Sequence, residues 1–253
     1  MKIFITLCLL SFNLHAIGVG QSVQINQKSC TVGQEIGRGA YGKVHELPNC
    51  PEYVLKDYLD KRDVVEKIKE EVWVHEVLSH YKINTVEAFH RQINNDHFQI
   101  KTRIVGKTIG DIISGGLLTK NSIYEKTLFP LIQQIMASGL LVTELNQLNV
   151  MFDEVKKRWV VVDAAFYKTP VGTSPNVMPW IKPEDSSKLI LFNAYIWGEI
   201  AGMKKNPTAL NNFNRFQEDV LKELKEKILN FSNTLRKDPP PGRAITQLPR
   251  YIR

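Results

Sequence analysis

The sequence is short of several things, and each shortage removes a class of protein. Only three cysteines occur in 253 residues, too few for a small domain held together by disulfides. Beyond the first dozen residues, no apolar run approaches the roughly 20 residues that a membrane-spanning helix needs. The 15 glycines and 12 prolines follow no repeating triplet, which excludes a collagen-like chain. With 43% hydrophobic and 23% charged residues, the composition is that of a folded globular protein rather than a disordered chain or a coiled coil. No internal repeat is present. The length suits one large domain or two small lobes. Acidic balance is also missing, since 33 basic residues face 26 acidic ones and the formal net charge is +7. A basic excess raises the question of nucleic acid or an acidic membrane, and the position of the charges must decide it.

The two ends differ from the middle. Lys2, an apolar run from Ile3 to Phe12 and a small residue at Ala16 have the layout of a secretory signal peptide, with cleavage expected after Ala16. A buried N-terminal helix or strand is the alternative. Removing residues 1–16 takes Cys8 away and leaves Cys30 and Cys50 in an oxidising compartment. At the other end, Arg236-Lys-Asp-Pro-Pro-Pro-Gly stops helical structure and starts an extended tail.

Between the two cysteines lies Gly37-x-Gly39-x-x-Gly42-x-Val44. A lone glycine triplet of this kind is weak evidence. A dinucleotide-binding loop should open directly into a helix, whereas Lys43-Val-His-Glu-Leu continues as a strand, so the glycines cap a β-hairpin. With the turn near Gly39-Ala40, residues whose numbers sum to about 80 lie opposite one another. Cys30 and Cys50 fulfil that sum and are placed for a disulfide; two unrelated thiols are the alternative. Tyr53-Val-Leu-Lys56 then forms a short strand ending in lysine. A glycine hairpin followed by a strand lysine resembles the N-lobe of the protein-kinase-like superfamily.

The resemblance implies an α+β, bilobal protein-kinase-like fold: a five-stranded antiparallel N-lobe with one main helix and a shortened helical C-lobe. It implies that Gly37, Gly39, Gly42 and Val44 lie over a nucleotide, and that Lys56 meets its phosphates. Apolar residues at Val64, Val65, Ile68, Val72 and Leu78 predict a helix over 61–81. Its expected partner for Lys56 is Glu71, with Glu70 and Glu66 as alternatives. His75 and His80 lack the spacing of a helical zinc pair and read as structural. Two strands are expected around Asn94-Asn95-Asp96, then a hinge and short helix from Val105, and an apolar helix over 122–138.

The next segment contains Glu144, Asn149 and a strand ending in Asp163. Kinases carry H-R-D-L-x-x-x-N here, followed by D-F-G. Aligning Asn149 with the loop asparagine puts Glu144 at the catalytic-base position and makes Asn149 and Asp163 the expected Mg2+ ligands. Lys56, Glu144 and Asp163 are then the expected catalytic residues, with ATP and Mg2+ as cofactors. The departures are specific. The loop His-Arg is Val142-Thr143, Asp-Phe-Gly is Asp163-Ala164-Ala165, and no Ala-Pro-Glu follows. Glu144 is one methylene longer than aspartate. Two further helices are expected, a capped buried one over 185–200 and an amphipathic one from Phe213 to Leu235.

This shortened plan resembles the minimal kinases secreted by bacterial pathogens, among them the ubiquitin-conjugate-activated effector kinases and the Hop-type effector that phosphorylates the Hsp90 chaperone. The expected organisation is a signal peptide (1–16), a linker (17–29), a kinase N-lobe (30–106), a truncated C-lobe (107–235) and a basic proline-rich tail (236–253). The resemblance implies a monomeric, exported Ser/Thr protein kinase acting on a protein, such as a chaperone, in the cytosol of a host or target cell. A nucleotide-binding pseudokinase or scaffold is one alternative, and a kinase-fold enzyme with other chemistry is another.

The basic excess is now placed. Without the leader the net charge is +6, and the segment from Arg236 onward holds +4 of it. A body near +2 with a basic tail gives no nucleic-acid-binding face, and no nucleic-acid partner is expected.

Overall fold

The computed structural model describes residues 17–39, 41–93, 96–138, 142–143, 145, 148–166 and 206–237. The expected leader, the turn residues Ala40, Asn94 and Asn95, Glu144, the helix over 185–200 and the tail beyond 237 lie outside the described residues. What is described is a mixed α/β structure with antiparallel sheets.

The strands β3 (Glu35–Arg38), β4 (Gly42–Glu46), β5 (Tyr53–Tyr58), β6 (Ala88–Ile93) and β7 (Asp96–Thr102) form one antiparallel sheet in the order β3-β4-β5-β7-β6. Its two faces follow from period-two alternation. One face carries Leu55, Phe98 and Ile100, all fully or nearly fully buried. A hairpin of β1 (Ser22–Ile25) and β2 (Lys28–Thr31) supplies Val23 and Ile25 to the same apolar core. Asn26 and Gln27 both adopt positive φ, 47° and 68°, as a two-residue I′ turn requires. Part of the stretch expected as a linker is thus a hairpin, because its alternating Val23 and Ile25 have an apolar sheet face to cover.

Cys30 of β2 and Cys50 are joined by a disulfide, with Cα atoms 5.7 Å apart. Glu35 pairs with His45 as the expected register predicts, and a bulge then shifts the pairing to Gly37–Val44. The cysteines are not hairpin partners in the simple sense. Cys30 of β2 instead pairs with Val23 of β1, and the bridge ties that second hairpin to the turn before β5.

Helix α1 (Val64–His80) covers the other sheet face. Its N-terminal half packs Val64 and Ile68 with Tyr58. Its C-terminal half sends Val74, Val77 and Leu78 into a second, larger core. That core also collects α2 (Ile109–Ser114), α3 (Ile123–Ser138), β10 (Val150–Asp153), β11 (Arg158–Val161), α4 (Pro207–Phe216) and α5 (Lys222–Lys237). Trp159 is fully buried at its centre and donates its indole N–H to the Tyr124 carbonyl at 2.8 Å. A capping box at Thr108 and Asp111 starts α2. Asn206 caps α4, with Pro207 in its first turn. A π-helical turn over Gln217–Leu221 joins α4 to α5, so the amphipathic helix expected from Phe213 begins earlier, at Pro207. Strand β8 (Gly106–Thr108) pairs with β10, and β9 (Val142–Thr143) with β12 (Ala165–Phe166). Glycine is required at 106, because a Cβ there would overlap the Phe152 carbonyl oxygen. Among the described residues no helix is long and apolar enough to cross a membrane.

Candidate functional site

Helix α1 buries a stripe at 64, 68, 71, 75 and 78, the spacing of one helical face. Four of these positions are buried and Glu71 is half-buried, whereas Glu66 and Glu70 are exposed. A carboxylate within an apolar stripe needs a partner, and Lys56 of β5 supplies it. Its Nζ lies 2.8 Å from both carboxylate oxygens of Glu71. Lys56 also donates to Asp163 Oδ2 at 3.1 Å, bringing together residues 107 positions apart. Asp163 follows the end of β11, where its amide and that of Val162 donate to the Asn149 carbonyl at 3.4 and 2.9 Å. The sheet, the helix and the β10–β11 hairpin therefore converge on one cluster containing Lys56, Glu71 and Asp163, with Asn149 beside it.

The glycine hairpin lies against this cluster. Val44 of β4 is directly opposite Lys56 in the ladder. A Cβ on Gly42 would meet the Asp57 carbonyl oxygen at 2.8 Å and the Lys56 side chain at 3.5 Å, so this glycine permits β4 to pack on β5. Gly39 differs, since nothing lies within 4 Å of the position its Cβ would take. It sits at the exposed end of the hairpin, and its amide donates to the Gly42 carbonyl at 2.8 Å. Gly37 pairs with Val44 and is also uncrowded. Only Gly42 is demanded by packing, which leaves the open backbone of Gly37 and Gly39 available for close approach by a ligand.

A second lysine, which the sequence pattern did not mark, completes the cluster. Lys101 of β7 donates to the Val162 carbonyl at 2.9 Å, and its Nζ lies 3.4 Å from Glu71 Oε2 and 3.7 Å from Asp163 Oδ1. In β7, His97, Gln99 and Lys101 alternate with buried Phe98 and Ile100, which reads as a strand with one solvated face. Here α1 covers that face, so Gln99 is fully buried and Lys101 nearly so. The available signal was register, because Gln99 pairs with Lys56 and Lys101 with Val54, placing both on the site side of the sheet.

Charge in the cluster is balanced, two ammoniums against two carboxylates, and the titration shifts follow from that. Burial pushes the Lys56 amine down, but the Asp163 and Glu71 carboxylates overcome it and hold the group above its ordinary value. Burial pushes Asp163 up, yet Lys101 and Lys56 together hold it well below the usual carboxylate range. For Lys101 burial prevails and its pKa is lowered. Burial, assisted by the Glu71 carboxylate, raises the Tyr58 phenol. Behind the cluster, the Thr85 hydroxyl donates to the Val161 carbonyl at 3.0 Å, so at 2.6 Å it accepts from His75 Nδ1–H. His75 is thereby a neutral structural residue, with its pKa pushed well down by burial and then by Lys101.

The donor set suits a hard divalent cation. Asp163 presents a partly open carboxylate, 29% exposed, and the backbone carbonyl of Asn149 lies next to it, accepting the Asp163 amide at 3.4 Å. Such oxygens, with few protein ligands, match Mg2+ sites completed by phosphates and water. Among the described residues no group of three or more His, Cys, Asp or Glu could form an all-protein metal cage. Glu144 lies outside the described residues, while Leu145 beside it is fully buried in the helical core.

No family model matches the sequence, and no curated protein matches it. Among solved structures, the chain is similar to the crystal structure of Rad53 1-466 in complex with AMP-PNP, at 17% identity and a TM-score of 0.39. The match covers 64% of this chain and 42% of that one, so the chain spans less than half the length of that structure.

Proposed function

We propose that this chain is a minimal protein-kinase-like enzyme that transfers the γ-phosphoryl group of ATP to a Ser or Thr hydroxyl of a protein. The observation that carries the reading is the Lys56–Glu71–Asp163 cluster beneath a glycine hairpin. Three separate elements deliver a fixed cation, its orienting carboxylate and a metal-binding carboxylate to one place. In this reading Lys56 neutralises phosphate oxygens, held by Glu71 so that little reorganisation is needed. Gly37 and Gly39 offer open backbone to the phosphates, Gly42 and Val44 hold the hairpin over them, and Asn149 and Asp163 hold Mg2+. When bound, the metal supplies charge neutralisation between the phosphates. Glu144 takes the proton of the incoming hydroxyl as its oxygen bonds to phosphorus and ADP leaves.

The finer assignments belong to the same proposal. The chain is exported through its N-terminal segment, works as a monomer and acts on a protein, such as a chaperone, in the cytosol of a host or target cell. The fold is bilobal, with the five-stranded sheet and α1 in the smaller lobe. A second reading, a nucleotide-binding pseudokinase, is favoured by one observation: both carboxylate oxygens of Asp163 face lysine ammoniums.

Incubation with labelled ATP, Mg2+ and a target-cell lysate separates the two. Label transferred to protein by the wild type and lost with Asp163→Ala supports the kinase. Nucleotide binding with no transfer to any protein supports the pseudokinase. Intact-mass shifts of the labelled product distinguish a phosphate from a transferred nucleotide.

A further inference from the structure

Lys101 is the member of the cluster without an assigned task. Glu71 already receives two 2.8 Å contacts from Lys56, so a second ammonium is not needed to neutralise it. A buried extra ammonium is costly compared with an apolar side chain of similar shape. Lys101 is nevertheless held firmly. Its donation to the Val162 carbonyl at 2.9 Å fixes Nζ next to Asp163, and only 10% of its side chain is exposed. Lys56 faces Asp163 Oδ2 at 3.1 Å while Lys101 faces Oδ1 at 3.7 Å.

We propose that Lys101 is a positioning residue that makes divalent-cation binding at Asp163 conditional on nucleotide. The inference rests on the nucleotide-binding reading above. With two ammoniums and two carboxylates among the described residues, the cluster around Asp163 has no net negative charge to draw in a bare cation. A divalent ion approaching Asp163 meets an ammonium at each oxygen. A polyphosphate changes the balance, because its negative charges engage Lys56 and free Oδ2 for the metal. Lys101, tied to a backbone carbonyl, stays on Oδ1 and keeps the carboxylate turned towards the incoming ion. Cation and nucleotide therefore enter as a coupled pair.

The test uses the full chain and Mn2+, whose free concentration is read by electron paramagnetic resonance. Without nucleotide, wild type and Lys101→Arg should bind Mn2+ weakly, and Lys101→Met should bind it about tenfold more tightly, within the usual range of coupling between two sites. The gain should vanish in Lys101→Met combined with Asp163→Asn. Lys101→Gln, which keeps a polar group near the Val162 carbonyl, serves if the methionine variant does not fold. Adding a non-hydrolysable ATP analogue should recruit Mn2+ to the wild type. If the analogue recruits Mn2+ but the Lys101 variants match the wild type in its absence, the inference is overturned and the nucleotide reading stands. If the analogue recruits no Mn2+ to wild type or variants, the nucleotide reading fails and the inference falls with it.

Discussion

Glu71 shows how surroundings single out one side chain among chemically identical neighbours. Glu66, Glu70 and Glu71 are chemically identical, but only Glu71 shares the buried stripe of α1 with Ile68 and His75. Glu71→Gln retains the volume and removes the charge that orients Lys56. Phosphoryl transfer is expected to fall by about 10²-fold, as for a comparable misplacement of a reacting group, with little change in far-ultraviolet circular dichroism. His75 makes a different prediction. Its pKa in the folded protein lies well below the ordinary 6.5, so the neutral ring contributes stability that is complete above that value. As pH falls below it, the unfolded chain takes up a proton that the folded chain refuses, and stability drops by about 1.4 kcal/mol per pH unit. Stability measured by denaturation should fall as pH drops below about 6.5, with about 1.4 kcal/mol per pH unit as the limiting slope, and His75→Gln should flatten the fall.

The β1–β2 hairpin depends on its disulfide at the level of elements. The Cys30–Cys50 bridge closes a separation of 20 residues, which on chain-entropy grounds stabilises by about 3 kcal/mol. The Cys30→Ser/Cys50→Ser double variant should lose about that much in urea denaturation, while Cys30 and Cys50 of the oxidised wild type are not modified by alkylating reagents. Strand β7 carries the opposite lesson. Its alternation was readable, and Phe98 and Ile100 are indeed on the apolar face. The fate of Gln99 and Lys101 was not readable, because covering the polar face depends on α1, which is distant in sequence. In β3 and β4 the expected pairing holds at Glu35–His45, and a bulge then shifts it by one. Spacing alone contains no signal for such a bulge.

For the whole molecule, the sheet and the helical core meet along α1, which contributes to both. The ion-pair cluster bridges that junction, so a ligand bound there ties the two parts together. ATP with Mg2+ at about 100 times its dissociation constant should stabilise the fold by about 2.7 kcal/mol, read as a rise in melting temperature. Lys56→Met should abolish the rise, and it should also lower the melting temperature of the free protein, because Glu71 and Asp163 lose a buried partner. The +7 net charge has no part in this, since +4 of it lies from Arg236 onward.

Local periods were legible along the chain: a glycine hairpin, a strand carrying Lys56 that runs on to Tyr58 rather than ending at the lysine, an amphipathic helix carrying Glu71, and a strand leading to Asp163. These follow from side-chain size and from spacing at two or 3.6 residues, which are properties of neighbours along the chain. Three outcomes needed the folded chain: Lys101 is a buried fourth member of the cluster, Gly42 serves packing while Gly39 stays open, and residues 22–31 form a hairpin. Those outcomes depend on what lies across a sheet face or a turn. That is set by contacts between residues far apart in sequence, where the desolvation of one charge is balanced by another.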